Sequence, residues 1–236
     1  MLFPRLHIVT DSLDVVRGAV GHGPVAIQVR VKSCDREAYQ LTVAALALCR
    51  SAGDALCLVD DRVGVALAAG ADGVHVGADD LPVAAARGVL GPAAILGATC
   101  RNPVSARQAV ADGADYLGVG PVFATTTKDG LPPPIGPAGL AAVVDAVPGT
   151  PVLAIAGITP ARVADLPGYG VAAISAVIAD PAGATADFQR ALSTRGDTDS
   201  ASPGGASASR LANGSRLVTG SRVVTGSRGG FRGGAA

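Results

Sequence analysis

Three polar side chains alternate through residues 25–32, VAIQVRVK, which puts Gln28, Arg30 and Lys32 at i, i+2 and i+4. A period of two sets all three on one face of a strand, opposite Ile27, Val29 and Val31. Cations buried without partners are prohibitive, so the row reads as a cradle for a bound anion. Arg30 would fork onto phosphate oxygens, Lys32 would supply a point charge and Gln28 would hydrogen-bond a neutral ring edge. A row of structural ion pairs is the plainer alternative. Asp61 and Asp80 end two further apolar runs, and carboxylates so placed suit one hard cation with oxygen ligands. Mg2+ is the natural occupant, bridging both to substrate phosphate and neutralising charge on a departing group. Helix capping is the alternative for each, because residues 62–69 and 82–90 have helical character.

Residues 124–130, ATTTKDG, supply Thr125, Thr127, Lys128 and a flexible Gly130, a composition able to wrap and cover a pyrophosphate. Gly157 lets backbone amides approach a ligand, and with Ser175 it suggests a phosphate cup at the last two strands of a barrel. His75 lies inside GVHVG with apolar flanks and reads as a hydrogen-bonded interior residue rather than a general base; His7 and His22 read as structural or exposed. The chain shows no Ser-His-Asp ordering, no H-E-x-x-H, no P-loop and no dinucleotide fingerprint, so protease, ATPase and dehydrogenase chemistry have no support. Two anion sites and a metal remain.

Eight apolar or β-branched runs must position these groups: 6–10, 25–31, 55–59, 73–76, 94–99, 116–120, 151–157 and 171–176. Between them lie helix-compatible stretches such as 35–52, 62–69, 82–90, 103–112, 138–147 and 160–166, several opened by Asp, Pro or Asn-Pro. Alternating strands and helices imply a parallel sheet, whose strands are buried on both faces. The fold class is therefore α/β, a compact (β/α)8 TIM barrel over residues 1–194, at roughly 24 residues per unit. An open doubly wound sheet is the runner-up, and the first connection, 11–24, is thin. From residue 195 to 236 the composition turns to Ser, Gly, Ala and Arg, with GSRLVT, GSRVVT and GSR beginning at Gly214, Gly220 and Gly226. That segment is expected to be a disordered tail, since it holds too little apolar material to offset backbone ordering.

The 236 residues are 49% hydrophobic and only 3% aromatic, with 19 basic and 19 acidic side chains. Six Arg and two Asp lie from Arg195 onward, leaving 13 basic against 17 acidic in the body, a net charge of −4. A mildly acidic body offers no basic face to follow nucleic acid, so small-molecule partners are expected. No apolar run approaches a bilayer span and no leader is recognisable, giving a cytoplasmic expectation with no membrane partner; a homo-oligomer is compatible with the sequence. Cys34, Cys49, Cys57 and Cys100 lack C-x-x-C spacing and are expected to be buried free thiols.

LHIVTD, QVRVK, DDRVGVALAAGADGVHVGADDLP, VGPVFATTTKDG, AIAGI and GVAAISA, in that order from Leu6 to about Ala176, resemble thiamine-phosphate synthase. The resemblance implies a (β/α)8 transferase that joins hydroxymethylpyrimidine diphosphate to a thiazole phosphate, with Mg2+, forming thiamine phosphate and diphosphate. Gln28, Arg30 and Lys32 match its Q-x-R-x-K, with the cations on diphosphate and Gln28 near the pyrimidine. Asp61 and Asp80 match its magnesium carboxylates. Thr125 and Thr127 match hydroxyls on the thiazole phosphate, Lys128 a contact to diphosphate, and Gly157, Ile174 and Ser175 the phosphate cup. Arg30, Lys32, Thr99 and Lys128 form the implied catalytic set, with Asp60 beside the substrate.

This chain departs from the family pattern in several places, among them Val31 where Q-x-R-[ED]-K has an acidic residue. Asp60 stands for the Asn of N-D-R, Thr99 for the Ser and Arg101 for the His of G-x-S-[TA]-H, and Ala156 for the first Gly of G-G-I. A thiazole tautomerase-like isomerase and a non-catalytic thiazole-phosphate-binding paralogue are the alternatives.

Overall fold

The computed structural model describes residues 3–127 and 130–195. Lys128 and the low-complexity segment from residue 196 onward lie outside them. Eight strands, β1 Leu6–Thr10, β2 Val25–Val29, β3 Ala55–Asp60, β4 Gly73–Val76, β5 Ile95–Cys100, β6 Tyr116–Val119, β7 Val152–Ile155 and β8 Gly170–Ala173, run parallel in chain order. β8 pairs with β1 at Leu6↔Val171, closing the barrel and excluding the open sheet. Among the described residues seven helices wrap it: α1 Leu13–Ala19, α2 Asp35–Ala52, α3 Val63–Ala69, α4 Val83–Leu90, α5 Pro103–Ala111, α6 Gly136–Ala146 and α7 Pro181–Thr194. After β7 the expected helix is a 3-10 segment, Pro160–Asp165.

Local chemistry starts and stops these helices. The Ser12 hydroxyl accepts from Val15 N at α1, Asn102 and Ser105 form a reciprocal capping box ahead of Pro103 at α5, and Asp180 accepts from Gly183 N at 3.0 Å at α7. α2 ends at Gly53, whose φ of 83° is the left-handed geometry that glycine tolerates best.

Alternation along the strands separates two cores. Outward residues such as Ile8, Ile27, Cys57, Val74, Leu96, Leu117 and Val171 pack against Val16, Ala45, Leu140 and Phe188 of the helices. Inward residues Ala26, Leu56, Leu58, Ile95, Tyr116 and Leu153, with Phe3 beneath, fill the lower barrel. Burying each large side chain contributes about 1.5–3 kcal/mol. Arg87 of α4 ties the lower rim together: its guanidinium donates to Gly113 O, Gly91 O and Ala94 O and meets the fully buried Asp115 at 2.6 Å.

Several strand ends differ from expectation. β2 stops at Val29 rather than Val31, because β1 ends at Thr10 and the last backbone contact along that edge is Arg30 N to Thr10 O at 2.9 Å. Lys32 consequently leaves the strand and is exposed. β7 stops at Ile155, since Ala156 and Gly157 turn to φ of 78° and 66°. Three of the four cysteines are buried and free as expected, whereas Cys34 is exposed at the start of α2.

Candidate active site

The carboxyl ends of the strands surround a cavity of about 230 Å3, and most of the residues singled out from the sequence line it. Gln28 comes from β2 and Arg30 directly follows it, Asp60 ends β3 and Asp61 follows it, Asp80 comes from the loop after β4, and Thr99 from β5. Thr125 and Thr127 follow β6, Gly157 follows β7, and Ile174 and Ser175 follow β8. Lys32 is exposed at the rim and is not part of the cavity wall; its carbonyl accepts from Arg62 Nη2 at 3.3 Å. Lys128 belongs to the residues not described.

The β2 row is partly an ion-pair row, with groups left over for the expected anion. Asp60, 8% exposed, accepts from Gln28 Nε2 through one oxygen and from Arg30 Nε at 2.8 Å through the other. Because the Gln28 amide nitrogen must face the carboxylate, its oxygen is left as an acceptor. Arg30 uses only Nε in this pair, so its Nη groups remain available for the two-pronged contact that a phosphate invites. The pairing of positions 28, 30 and 60 leaves no mark in local sequence.

Neither carboxylate of the proposed metal pair caps a helix. α3 starts after Arg62 and α4 after Pro82, neither with a side-chain cap, while Asp80 Oδ2 accepts from Gly77 N at 2.8 Å within its own loop. Asp61 holds a left-handed φ of 65° and donates its amide to His75 O at 2.8 Å. A Cβ built on Gly77 would lie 2.6 Å from Asp80 Oδ2 and 3.8 Å from Asp61 Oδ1, so both carboxylates converge over that glycine. Partial burial first, then the charges of Asp60 and Asp80, push the Asp61 carboxyl up to about 8. Crowded anions of this kind are relieved by a cation. Mg2+ commonly uses one or two carboxylates, completing its shell with water and substrate phosphate, so the pair fits it. Among the described residues no group of three or more His, Cys, Asp and Glu forms a fuller metal cage.

His75 is the interior residue expected. Its Nδ1 lies 3.0 Å from Tyr116 Oη and its Nε2 3.0 Å from Thr99 Oγ1, and burial lowers its pKa. His7 is buried below, edge-on to Phe3. Arg101, a polar residue just past β5 and a departure from the family pattern, also lines the cavity; its buried Nε has no hydrogen-bond partner among the described residues. The apolar walls Val9, Pro121, Leu131 and Ile155 carried no chemical signal and were missed.

On the opposite wall the expected phosphate cup is shaped by backbone. A Cβ on Gly157 would meet Ala124 O at 2.7 Å, so only glycine fits between β7 and the loop after β6. Arg162 donates to Gly157 O and lies 4.3 Å over the Phe123 ring, clamping the same junction. Thr125 and Thr127 are already oriented: their hydroxyls are 3.0 Å apart, and Thr127 N donates to Thr125 Oγ1 at 3.2 Å.

The family profile described as thiamine monophosphate synthase matches residues 4–179. A thiamine-phosphate synthase from Salinispora arenicola is 57% identical over 203 residues, covering 80% of this chain and 97% of the relative. One from Chloroflexus aurantiacus is 45% identical, covering 80% and 92%. Among solved structures, thiamine phosphate pyrophosphorylase from Pyrococcus furiosus superposes with a TM-score of 0.73 at 37% identity, covering 81% of this chain and 96% of that one. The structure described as native KDPGal, 17% identical with a TM-score of 0.62, shares the fold alone. The match spans the barrel and every strand end that builds the cavity, and the chain belongs to the thiamine monophosphate synthase family.

Proposed function

We propose that this protein condenses hydroxymethylpyrimidine diphosphate with a thiazole phosphate to give thiamine phosphate and diphosphate. The observation that carries the reading is the meeting, around one mouth, of the Arg30 fork, the Asp61/Asp80 pair and the Gly157/Ser175 cup in a chain of this family. The pyrimidine fits beside Gln28, whose free carbonyl oxygen suits an exocyclic amine. Arg30 Nη groups receive diphosphate, helped by Lys32 from the rim and by Lys128. Thr125, Thr127, Gly157, Ile174 and Ser175 hold the thiazole phosphate, and Pro121, Leu131 and Ile155 supply dry walls for the rings.

The carbon–oxygen bond to diphosphate breaks, and the electron-rich aminopyrimidine carries the resulting positive charge. The thiazole nitrogen then forms the new carbon–nitrogen bond with its own lone pair. No general base is needed, which agrees with a cavity whose one lining histidine is tied at both ring nitrogens. Catalysis reduces to orientation and to stabilisation of the leaving anion. Mg2+, held by Asp61 and Asp80, would supply charge neutralisation on that anion.

The same reading places the reaction in the cytoplasm, and a homo-oligomer is compatible with it; sedimentation measures the latter. Among the described residues no helix is long and apolar enough to cross a membrane. The test is a discontinuous assay with both substrates, with and without Mg2+. Diphosphate and thiamine phosphate in equal amounts, only with metal, are expected. No diphosphate release with all components present rejects the proposal, as does metal-independent isomerisation of the thiazole substrate alone.

A further inference from the structure

We infer that His75 and Tyr116 are positioning residues that hold the Thr99 hydroxyl as a hydrogen-bond donor into the cavity, directed at an anionic oxygen of the leaving diphosphate. The identity of that anion rests on the function proposed above; the proton order beneath it rests on geometry alone.

The proton order is set at the bottom of the chain of contacts. Tyr116 is 1% exposed, and its phenol lies 3.0 Å from His75 Nδ1, with no other hydrogen-bond partner among the described residues. A buried O–H left without an acceptor is strongly disfavoured, so Tyr116 donates and Nδ1 accepts. An imidazole whose Nδ1 accepts carries its proton on Nε2. That nitrogen is 3.0 Å from Thr99 Oγ1, so it donates to the threonine oxygen. With its oxygen receiving a proton from below, Thr99 directs its own O–H elsewhere, and Thr99 lines the cavity. The opposite order, or a doubly protonated ring, would turn an Nδ1–H toward the phenol and orphan the Tyr116 proton.

The surroundings are built for this stack. A Cβ on Gly97 would lie 2.1 Å from Tyr116 Cζ, and one on Gly118 would lie 3.0 Å from His75 Cε1. Glycine weakens a strand interior and marks a close approach; here it clears room on β5 for the phenol and on β6 for the imidazole. The three side chains come from adjacent strands: Thr99 and Tyr116 flank the β5–β6 pairing, and His75 pairs with Gly97. No proton is transferred in this device. Its effect is that the donor at the cavity wall is oriented before the anion develops, so it needs no reorientation in the transition state.

The direct test is 15N chemical shifts of the His75 ring in the labelled full-length protein, which do not depend on turnover. A proton on Nε2 and a bare, accepting Nδ1 are expected; an Nδ1–H ring in the wild type overturns the inference, whatever the enzyme does. Titration with inorganic pyrophosphate and Mg2+ gives the second reading. Thr99→Ser should bind it within about twofold of wild type, while Thr99→Val should bind it roughly 10- to 100-fold more weakly, the range expected for one hydrogen bond to a charged group. Equal affinity for both variants would remove diphosphate as the target.

In turnover, Tyr116→Phe should lower kcat by roughly 3- to 10-fold with KM for both substrates within about twofold. Thr99→Val/Tyr116→Phe should be no slower than Thr99→Val alone, because Tyr116 acts through Thr99. Losses that multiply would show a merely structural role and overturn the inference. If wild-type turnover is absent while the Nε2–H tautomer and the pyrophosphate difference are found, the reaction assignment fails and the positioning device stands.

Discussion

Replacing His7 with Phe tests whether burial of an ionisable ring in the barrel floor costs acid stability. His7 is fully buried, with Phe3 and Tyr116 rings at centroid distances of 5.2 and 5.0 Å, and neither of its ring nitrogens makes a well-formed hydrogen bond among the described residues. Burial first, then the nearby His75, pull its pKa from 6.5 down to about 3. The folded state therefore binds fewer protons than the unfolded state between those values, and stability must fall as pH falls through that window. Each unit is worth about 1.36 kcal/mol, so the cost of His7 is negligible at pH 7.5 and about 2 kcal/mol at pH 5. Urea denaturation at both values, for wild type and His7→Phe, reads the difference directly. The wild type should lose about 2 kcal/mol more than the variant, whatever their stabilities at pH 7.5 and whatever the other groups contribute to both. An equal loss in the two proteins would refute the claim that His7 must stay neutral to fold.

The lower rim, the backbone turn after β7 and the metal pair yield further tests. Arg87→Ala takes away the guanidinium paired with the fully buried Asp115, which keeps the bond from Leu96 N, and frees three carbonyl groups, so it should cost about 3–5 kcal/mol by chemical denaturation; a cost below about 1 kcal/mol would contradict a structural clamp. Ala156→Gly relieves a non-glycine φ of 78°, worth about 1–2 kcal/mol, against about 0.5–1 kcal/mol of added chain entropy, so a gain of up to about 1.5 kcal/mol is expected in the same assay. Asp61 must ionise to bind Mg2+, and with its carboxyl near 8 the apparent affinity should strengthen about tenfold per unit as pH rises toward 8 and level off above it. Calorimetric titration checks this, and Asp61→Asn should abolish both the binding and its pH dependence. Asp80→Ala should likewise remove the metal dependence of the rate with most of the activity.

Much of this architecture is legible because local patterns carry it. The stretch 35–52 emerges as α2 with both ends as read, and the eight apolar runs all become strands. What fails is the extrapolation of period two past the last paired neighbour. β1 ends at Thr10 and the β2–β3 pairing ends at Val29↔Val59, so nothing continues the ladder to Lys32, and the row of three becomes two residues in the mouth and one on the rim. The residues with chemistry were found by type at strand ends. Their mutual contacts were not, since Gln28, Arg30 and Asp60 meet across 30 or more positions and the Tyr116 phenol reaches His75 across 41. Arg101 is legible as a polar residue at a strand end but not by role, because an arginine's destination depends on the loop around it. Left-handed Ala156 could not be foreseen either: a residue with a Cβ signals no preference for that conformation.

The barrel is sealed at its amino-terminal end. Phe3, 3% exposed, stacks near Tyr169 and contacts Tyr116, and Tyr169 donates its hydroxyl back to Phe3 O. The vessel is thus a cul-de-sac, and two reactants and two products must share one doorway. Gln28, 5% exposed, sits deeper than Ser175 on the outer lip, so a ring seated against it would arrive before the guest held at the lip. Because the new carbon–nitrogen bond joins that ring to the later guest, the two leave through the doorway as one molecule.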